Sequence, residues 1–403
     1  MINENKAIND FNLNHIETRQ SKLYAIIAIL STLAINHADS TLPERSYVWI
    51  AHAITLVCLC VCWLLLLGNG LKVRHTRFFF LSLFWYVVIT FHLYNNTSPN
   101  WGILTLLPIL TLSLLKGKVI LNSFAIYRKY LIVISAFGIF AYLSFAFGIN
   151  IPHIVCPYYG TRLGDSFLYY DYFLSYIVVE DTYIRLCGLF NEPGYFGTFL
   201  SLCLIADKLN LKKKGNLVLF FAGCLTFSAA FFITIILYVT YLCIIKRKYS
   251  IIIWAIIIVV IANNIEFSND NITRLLGRLS FTDGKLSAIN RTGEALERFY
   301  STYITSPQAL FGLGNGFLSQ NNFVGNLSYK SYIIEYGIIA CSVYWIGLLI
   351  IGIKYAKRNS YAIAYTILFL VNVYQRPTIF VTGYMLLLIG GVYNIVCHSS
   401  NNE

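Results

Sequence analysis

Apolar runs of 15 to 22 residues, parted by short basic clusters, set the terms for everything this chain can fold into. A helix crossing a bilayer needs about 20 apolar residues, because the hydrocarbon is roughly 30 Å thick and each residue rises 1.5 Å. Runs meeting or approaching that length lie near 23–36, 47–67, 78–94, 101–115, 131–149, 188–206, 250–264, 331–353, 361–374 and 378–397. Only 12% of the 403 residues are charged while 57% are apolar, and mean hydropathy is +0.65. A soluble chain of this length would split into two or three domains and would need more charge to cover their surfaces. A cytosolic enzyme, a disordered chain and a secreted disulfide scaffold are thereby excluded. The expectation is an all-α, polytopic integral membrane protein, one membrane domain over 1–403.

The stretch 216–245 is too long for one span and short for two full ones. Lys212, Lys213 and Lys214 precede it, and Lys246, Arg247 and Lys248 follow it. Basic clusters favour the cytoplasmic side, so a tight hairpin turning near Thr226–Ala229 keeps both on one face. The count becomes about twelve spans. With both termini cytoplasmic, the inner segments hold 20 of the 30 basic residues against 5 acidic ones, leaving 10 basic and 13 acidic residues outside. The formal +12 thus divides into +15 inside and −3 outside, an orientation signal and not a nucleic-acid footprint. No cleavable leader is expected from the polar first 22 residues. The ten cysteines lie almost wholly in the spans; Cys58, Cys60 and Cys62 at i, i+2, i+4 do not share a helix face, so neither a disulfide framework nor a metal site is expected.

Two connections exceed about 15 residues and both face outward: about 150–184 and about 265–330. Long structured loops on a membrane scaffold usually carry function, so they are expected to form the active-site face. The first is rich in Tyr (158, 159, 169, 170, 172, 176) and in acid (Asp165, Asp171, Glu180, Asp181), residues that stack on sugar rings and bind hydroxyls. An interfacial aromatic belt would use the same tyrosines. This loop runs into Arg185-Leu-Cys-Gly-Leu-Phe-Asn191-Glu192-Pro193-Gly194. A polar Asn-Glu-Pro-Gly turn at the mouth of an apolar span is costly unless it lines an aqueous or ligand cavity. Pro193 and Gly194 break the helix there and free backbone amides for an anion, with Arg185 just above. A snorkelling arginine over a kinked span is the plain alternative.

In the second loop, Asn290 to Tyr300 reads as a helix that places Arg291 and Arg298 on one face at i, i+7, with Glu294 able to pair with both. Two guanidiniums on one face suit a diphosphate, since the planar fork binds phosphate oxygens bidentately. A solvated, salt-bridged surface helix is the competing reading. Arg274 and Arg278 form a second pair at i, i+4. Ser306-Pro307 begins a further helical turn stopped by Gly312, and Gly312-Leu-Gly314-Asn-Gly316 reads as a tight turn bringing backbone close to substrate.

The order of these motifs, from Arg185–Leu200 through the hairpin with Leu225-Thr-Phe-Ser228 to Ser306–Gly316 and Tyr332-Ile-Ile-Glu335-Tyr-Gly337, resembles the O-antigen polymerase and O-antigen ligase superfamily over roughly 183–345. Ligases of that group carry a histidine shortly before the Glu-x-Gly element. Here the neighbourhood is Gly325-Asn326-Leu-Ser328-Tyr-Lys330, and no histidine occurs between His153 and His398. The resemblance therefore points to the polymerase family.

What it implies is a glycosyltransferase that joins undecaprenyl-diphosphate-linked oligosaccharide repeat units at the outer face of the bacterial cytoplasmic membrane. It implies no cofactor and no metal, and partners limited to the lipid-linked sugars, the bilayer, a chain-length regulator and the flippase of the same pathway. Arginines would stabilise the diphosphate as it leaves, and a carboxylate would take the proton of the attacking hydroxyl. The expected catalytic residues are Arg185, Glu192 and Arg291. Arg298, Arg278, Asn191, Gly194, Lys330 and Glu335 are expected to bind substrate. A flippase for the same lipid, the competing class, should carry its charges inside the bundle, where this chain has few.

Overall fold

The computed structural model describes residues 2–38, 47–68, 70, 72–92, 103–159, 166–180, 182–248, 270–279, 281–282, 285–286, 293–321, 323 and 328–400. The described chain is mostly helical. Helices α1 (Ile2–Ala38), α2 (Tyr47–Gly68), α3 (Thr76–Phe91), α4 (Ile103–Leu114) and α5 (Gly117–Ala146) precede a sheet, and α6 (Pro193–Ala206), α7 (Lys214–Leu225) and α8 (Ala229–Ile245) follow it. Next come α9 (Asp270–Leu279), a two-stranded ribbon at 281–286, α10 (Glu294–Tyr303), α11 (Phe317–Gln320), α12 (Tyr329–Ala356), α13 (Ser360–Gln375) and α14 (Thr382–Ser400). Among the described residues three helices are long and apolar enough to cross a membrane: Ile50–Gly68, Gly117–Ala146 and Tyr329–Ala356. The expected span at 250–264 lies outside the described residues.

The expectation of an all-α chain is corrected by the first long loop. It folds as a four-stranded antiparallel meander, β1 (Ile154–Tyr159), β2 (Ser166–Asp171), β3 (Tyr176–Glu180) and β4 (Tyr183–Gly188), paired in sequence order. The reason is local. Tyr, Val and Ile fit a pleated, half-buried surface, and the tyrosines are needed as packing residues. Tyr169, Tyr172, Tyr176 and Tyr183 are all buried, so they bind the sheet to the helices and offer no face to a sugar. The sheet also carries the chain to Gly188, so the next helix starts at Pro193 and not at 188.

The expected hairpin is present: α7 and α8 are joined through Thr226–Ser228, with Phe227 in the left-handed region at φ 43°. The two ends of the bundle use separate sets of residues. At one end Lys116 pairs with Glu17 at 2.6 Å, Arg128 with Asp207 at 2.7 Å, Lys208 with Ser399 at 2.8 Å, and the Tyr355 hydroxyl with His75 at 2.9 Å. At the other end Arg376 meets Glu192, Arg274 meets Glu180 and Lys330 meets Glu297. Every residue in the first group falls in a segment assigned to the inside from charge, and every residue in the second in one assigned to the outside.

Helix lengths differ toward the second end. From Arg128, level with the foot of α6 through its pair with Asp207, α5 continues for 18 more residues, about 27 Å. The 14 residues of α6 span about 21 Å and the 12 of α7 about 18 Å. At that end β4 packs against α5, α6 and α7, so the sheet stands as a roof over a floor of helix ends.

Candidate functional site

The floor is built where β4 turns into α6. Gly188, at φ +59°, reverses the chain against the ring of Phe196, and Glu192 stands as the extended residue before Pro193 at the first helical position. Proline is pre-set for that position and its missing N–H costs nothing there. Glu192, 46% exposed, reaches across to Arg376, which is 4% exposed, with Nη2 and Oε2 2.5 Å apart. Arg376 also lies 4.3 Å from the centroid of the Tyr195 ring. Burial works against the arginine's charge, and Glu192 beside it more than offsets that, holding the guanidinium above its ordinary range. Arg376 Nε and Asn191 Oδ1 are buried and without a hydrogen-bond partner among the described residues. A buried donor or acceptor left without a partner is costly in a structure that has no use for it.

Arg376 escaped the sequence reading because it stands between two apolar runs and belongs to neither long loop. A signal was present: it is the only Lys, Arg, Asp or Glu between Arg358 and Glu403, and it stands in an Arg-Pro pair. Gly194 has a different part from the one expected. A side chain there would collide with the Arg376 guanidinium, so its glycine is required by that ion pair.

Arg185 occupies β4 at half-burial. Its Nε donates to the Thr226 carbonyl at 3.1 Å, and the Tyr183 hydroxyl donates to the Phe227 carbonyl at 3.1 Å, so the sheet satisfies both carbonyls at the α7–α8 turn. The Tyr183 ring is flanked by two guanidiniums, Arg185 at 5.2 Å and Arg274 at 5.4 Å from its centroid. Buried Cys187 lies within electrostatic reach of Arg185, Glu192 and Arg376, and burial pushes its thiol up. Asn191 is tied to the roof through its own carbonyl, which accepts from the Tyr169 hydroxyl at 2.8 Å.

The remaining expected residues are not brought to that floor. Arg291 lies outside the described residues, and the helix there begins only at Glu294, after it. Arg298 is exposed on α10. Lys330 is held by Glu297 of α10 and stacks on Tyr300 at 5.3 Å. Arg278 is on α9, four residues after Arg274, which pairs with Glu180 at 3.2 Å.

Glu335 forms a second station. At Gly337 (φ +82°) α12 leaves helical geometry, which deprives the Ile334 and Glu335 carbonyls of their usual partners. The glycine loop replaces them: Leu313 N donates to the Ile334 carbonyl at 2.7 Å and Gly314 N to the Glu335 carbonyl at 2.9 Å. Gly316 N donates to Glu335 Oε1 at 3.1 Å. Gly312 and Gly337 face one another, each where a Cβ would strike the other's backbone. The close approach expected of Gly312–Gly316 is therefore to α12. Tyr332, hydrogen-bonded to Thr378 and within electrostatic reach of both Glu335 and Tyr195, links this station to the Arg376 floor.

Comparison with family models, curated proteins and solved structures finds no match, so the site is read from its own geometry.

Proposed function

We propose that this chain is a polysaccharide polymerase of about twelve spans, with both termini cytoplasmic, that joins undecaprenyl-diphosphate-linked repeat units at the outer face of a bacterial cytoplasmic membrane. The observation that carries the reading is the polar floor at the start of α6, where half-exposed Glu192 pairs with buried Arg376 and Arg185 stands on the adjoining strand β4. The motif order that resembles the O-antigen polymerase family supports it. In the proposed reaction a hydroxyl of the incoming unit attacks the anomeric carbon of the growing glycan. The bond from that carbon to the diphosphate oxygen breaks, and the lipid diphosphate leaves with the electron pair. Arg185 stabilises the leaving charge at the floor, and Arg291 and Arg298 of the second loop are proposed to engage the lipid diphosphate on its approach. Glu192 takes the hydroxyl proton, and Arg376, paired with it, fixes the position of the carboxylate. Arg376 is a positioning residue in this scheme, since it is buried behind the half-exposed carboxylate.

The test is genetic and chemical. Loss of the protein should leave single repeat units capped on the surface, and reconstitution with a defined diphosphate-linked unit should yield polymer. Lipid-linked polymer in the deletion strain would make it a ligase, and absence of any surface sugar would make it a flippase. Arg185→Ala, Arg291→Ala and Arg298→Ala should each shorten or abolish the polymer ladder at normal protein level; three normal ladders would remove these assignments.

A further inference from the structure

At the opposite end of the bundle from the floor, the α1, α2 and α4 helices enclose a cavity of about 120 Å³ with no part in the proposed chemistry. Ile16, Leu66 and Leu114 supply its apolar lining, and Gln20, Glu17, Lys72, Arg74 and Lys116 its polar lining. Glu17 is its only carboxylate and is already engaged, by Lys116 at 2.6 Å and by Lys118 at 3.6 Å. Its hydrogen bond from Lys116 outweighs burial and holds its carboxyl below the ordinary range, so it stays ionised at neutral pH. Lys72 and Arg74 have no carboxylate partner among the described residues, and both are exposed toward the mouth. Four cations thus share one acid.

The position of two of them sharpens the point. Lys116 is the N-cap of the 30-residue α5 and Lys118 lies in its first turn, which contains no acid, and the cap has no side-chain hydrogen bond. Cations at a helix N-terminus oppose the helix dipole, and the same end attracts anions through its unpaired N–H groups. Glu17 answers the two lysines, and an anion in the cavity would answer Lys72 and Arg74 and add to the charge facing the helix end. The apolar lining excludes a ligand that is polar throughout. It fits an amphiphile with an anionic head and a hydrocarbon shoulder, and basic pockets between helices at a membrane surface take anionic phospholipid headgroups.

We propose that this cavity is a binding site for the headgroup of an anionic phospholipid, with the phosphate between Lys72, Arg74 and Lys116 and the glycerol end against Ile16, Leu66 and Leu114. The site is independent of the polymerase reading and requires only that the chain lie in a bilayer.

The experiment uses the full chain, purified in mild detergent and stripped of lipid, with phosphatidylglycerol, phosphatidylcholine and inorganic phosphate as separate probes. Native mass spectrometry should retain phosphatidylglycerol in preference to phosphatidylcholine, and the same lipid should raise the melting temperature to a saturating value. Lys72→Gln with Arg74→Gln should weaken that binding by about thirtyfold, each basic residue near an anionic lipid contributing roughly a fivefold factor. Lys246→Gln, a neutralisation elsewhere at the same end, should leave it unchanged. Equal retention of phosphatidylcholine, an undiminished adduct in the double variant, or equal loss in Lys246→Gln would overturn the assignment. A full melting shift from inorganic phosphate alone would make the site one for free phosphate and overturn the lipid.

Discussion

Removing the two partners of the Glu192–Arg376 pair should have unequal consequences, because they differ in exposure. Arg376 is 4% exposed and Glu192 46%. Glu192→Gln would leave a guanidinium in a nearly closed site, and arginine cannot shed its proton to escape the penalty. Breaking a buried pair from that side costs about 3–5 kcal/mol. Arg376→Met leaves the carboxylate instead, and water screens a half-exposed carboxylate, which limits the electrostatic loss to about 1 kcal/mol. The stacking on Tyr195 at 4.3 Å adds a further loss of about 1–2 kcal/mol, partly recovered by the packing of methionine. The double variant, Glu192→Gln with Arg376→Met, has no unpaired charge and should be more stable than Glu192→Gln alone. Melting of the purified protein in one fixed detergent, followed by intrinsic fluorescence, ranks the variants. The expected order of melting temperature is wild type, then Arg376→Met and the double variant, then Glu192→Gln. A double variant that melts below Glu192→Gln would refute the reasoning, as would an Arg376→Met variant that melts below it.

Three further outcomes follow from packing and charge. Gly194→Ala should displace the Arg376 guanidinium from Glu192 and lower the melting temperature much as Glu192→Gln does; a wild-type melting temperature would separate Gly194 from the ion pair. Gly312→Ala, at φ +88° and against the Glu335 carbonyl, should cost about 1–3 kcal/mol and be visible as a lower melting temperature, whereas Gly68→Ala, with open space around it, should not. Asp207 is 4% exposed between Arg128 and Lys213, so Asp207→Asn should cost about 3–5 kcal/mol, measured as the melting difference from wild type. Burial by itself would raise the Asp207 carboxyl, but Arg128 and Lys213 overcome it and hold it below its ordinary range. A depressed folded value stabilises fully above the unfolded value of about 4 and is lost as pH falls through the folded one. The wild-type advantage over Asp207→Asn should therefore be constant from pH 8 to about 5 and shrink only below about 4; shrinkage above pH 5 would contradict the sign.

Local pattern carried some of this architecture plainly and hid the rest. The hairpin near Thr226–Ala229 was legible because two basic clusters on opposite sides of a bilayer would be unfavourable. The meander was not legible, because its tyrosines read equally well as a sugar platform, a membrane belt or a core. Only the helices beneath decide that Tyr176 and Tyr183 are fully buried. Similarly, Gly312–Gly316 announced a close backbone approach, but not that α12 would be the partner.

By itself the sequence determined the helical class, the segregation of charge to two ends and the polar mouth at Asn191–Gly194, since each follows from spacing along one stretch of chain. The tertiary structure decided which charges meet. Arg376 lies 184 residues from Glu192 and between two apolar runs, and no periodicity connects them. Their pairing arises because α6 and α13 pack side by side, which brings the residue before the first and the residue after the second together. There Gly194 leaves room for a guanidinium and Glu192 supplies its charge.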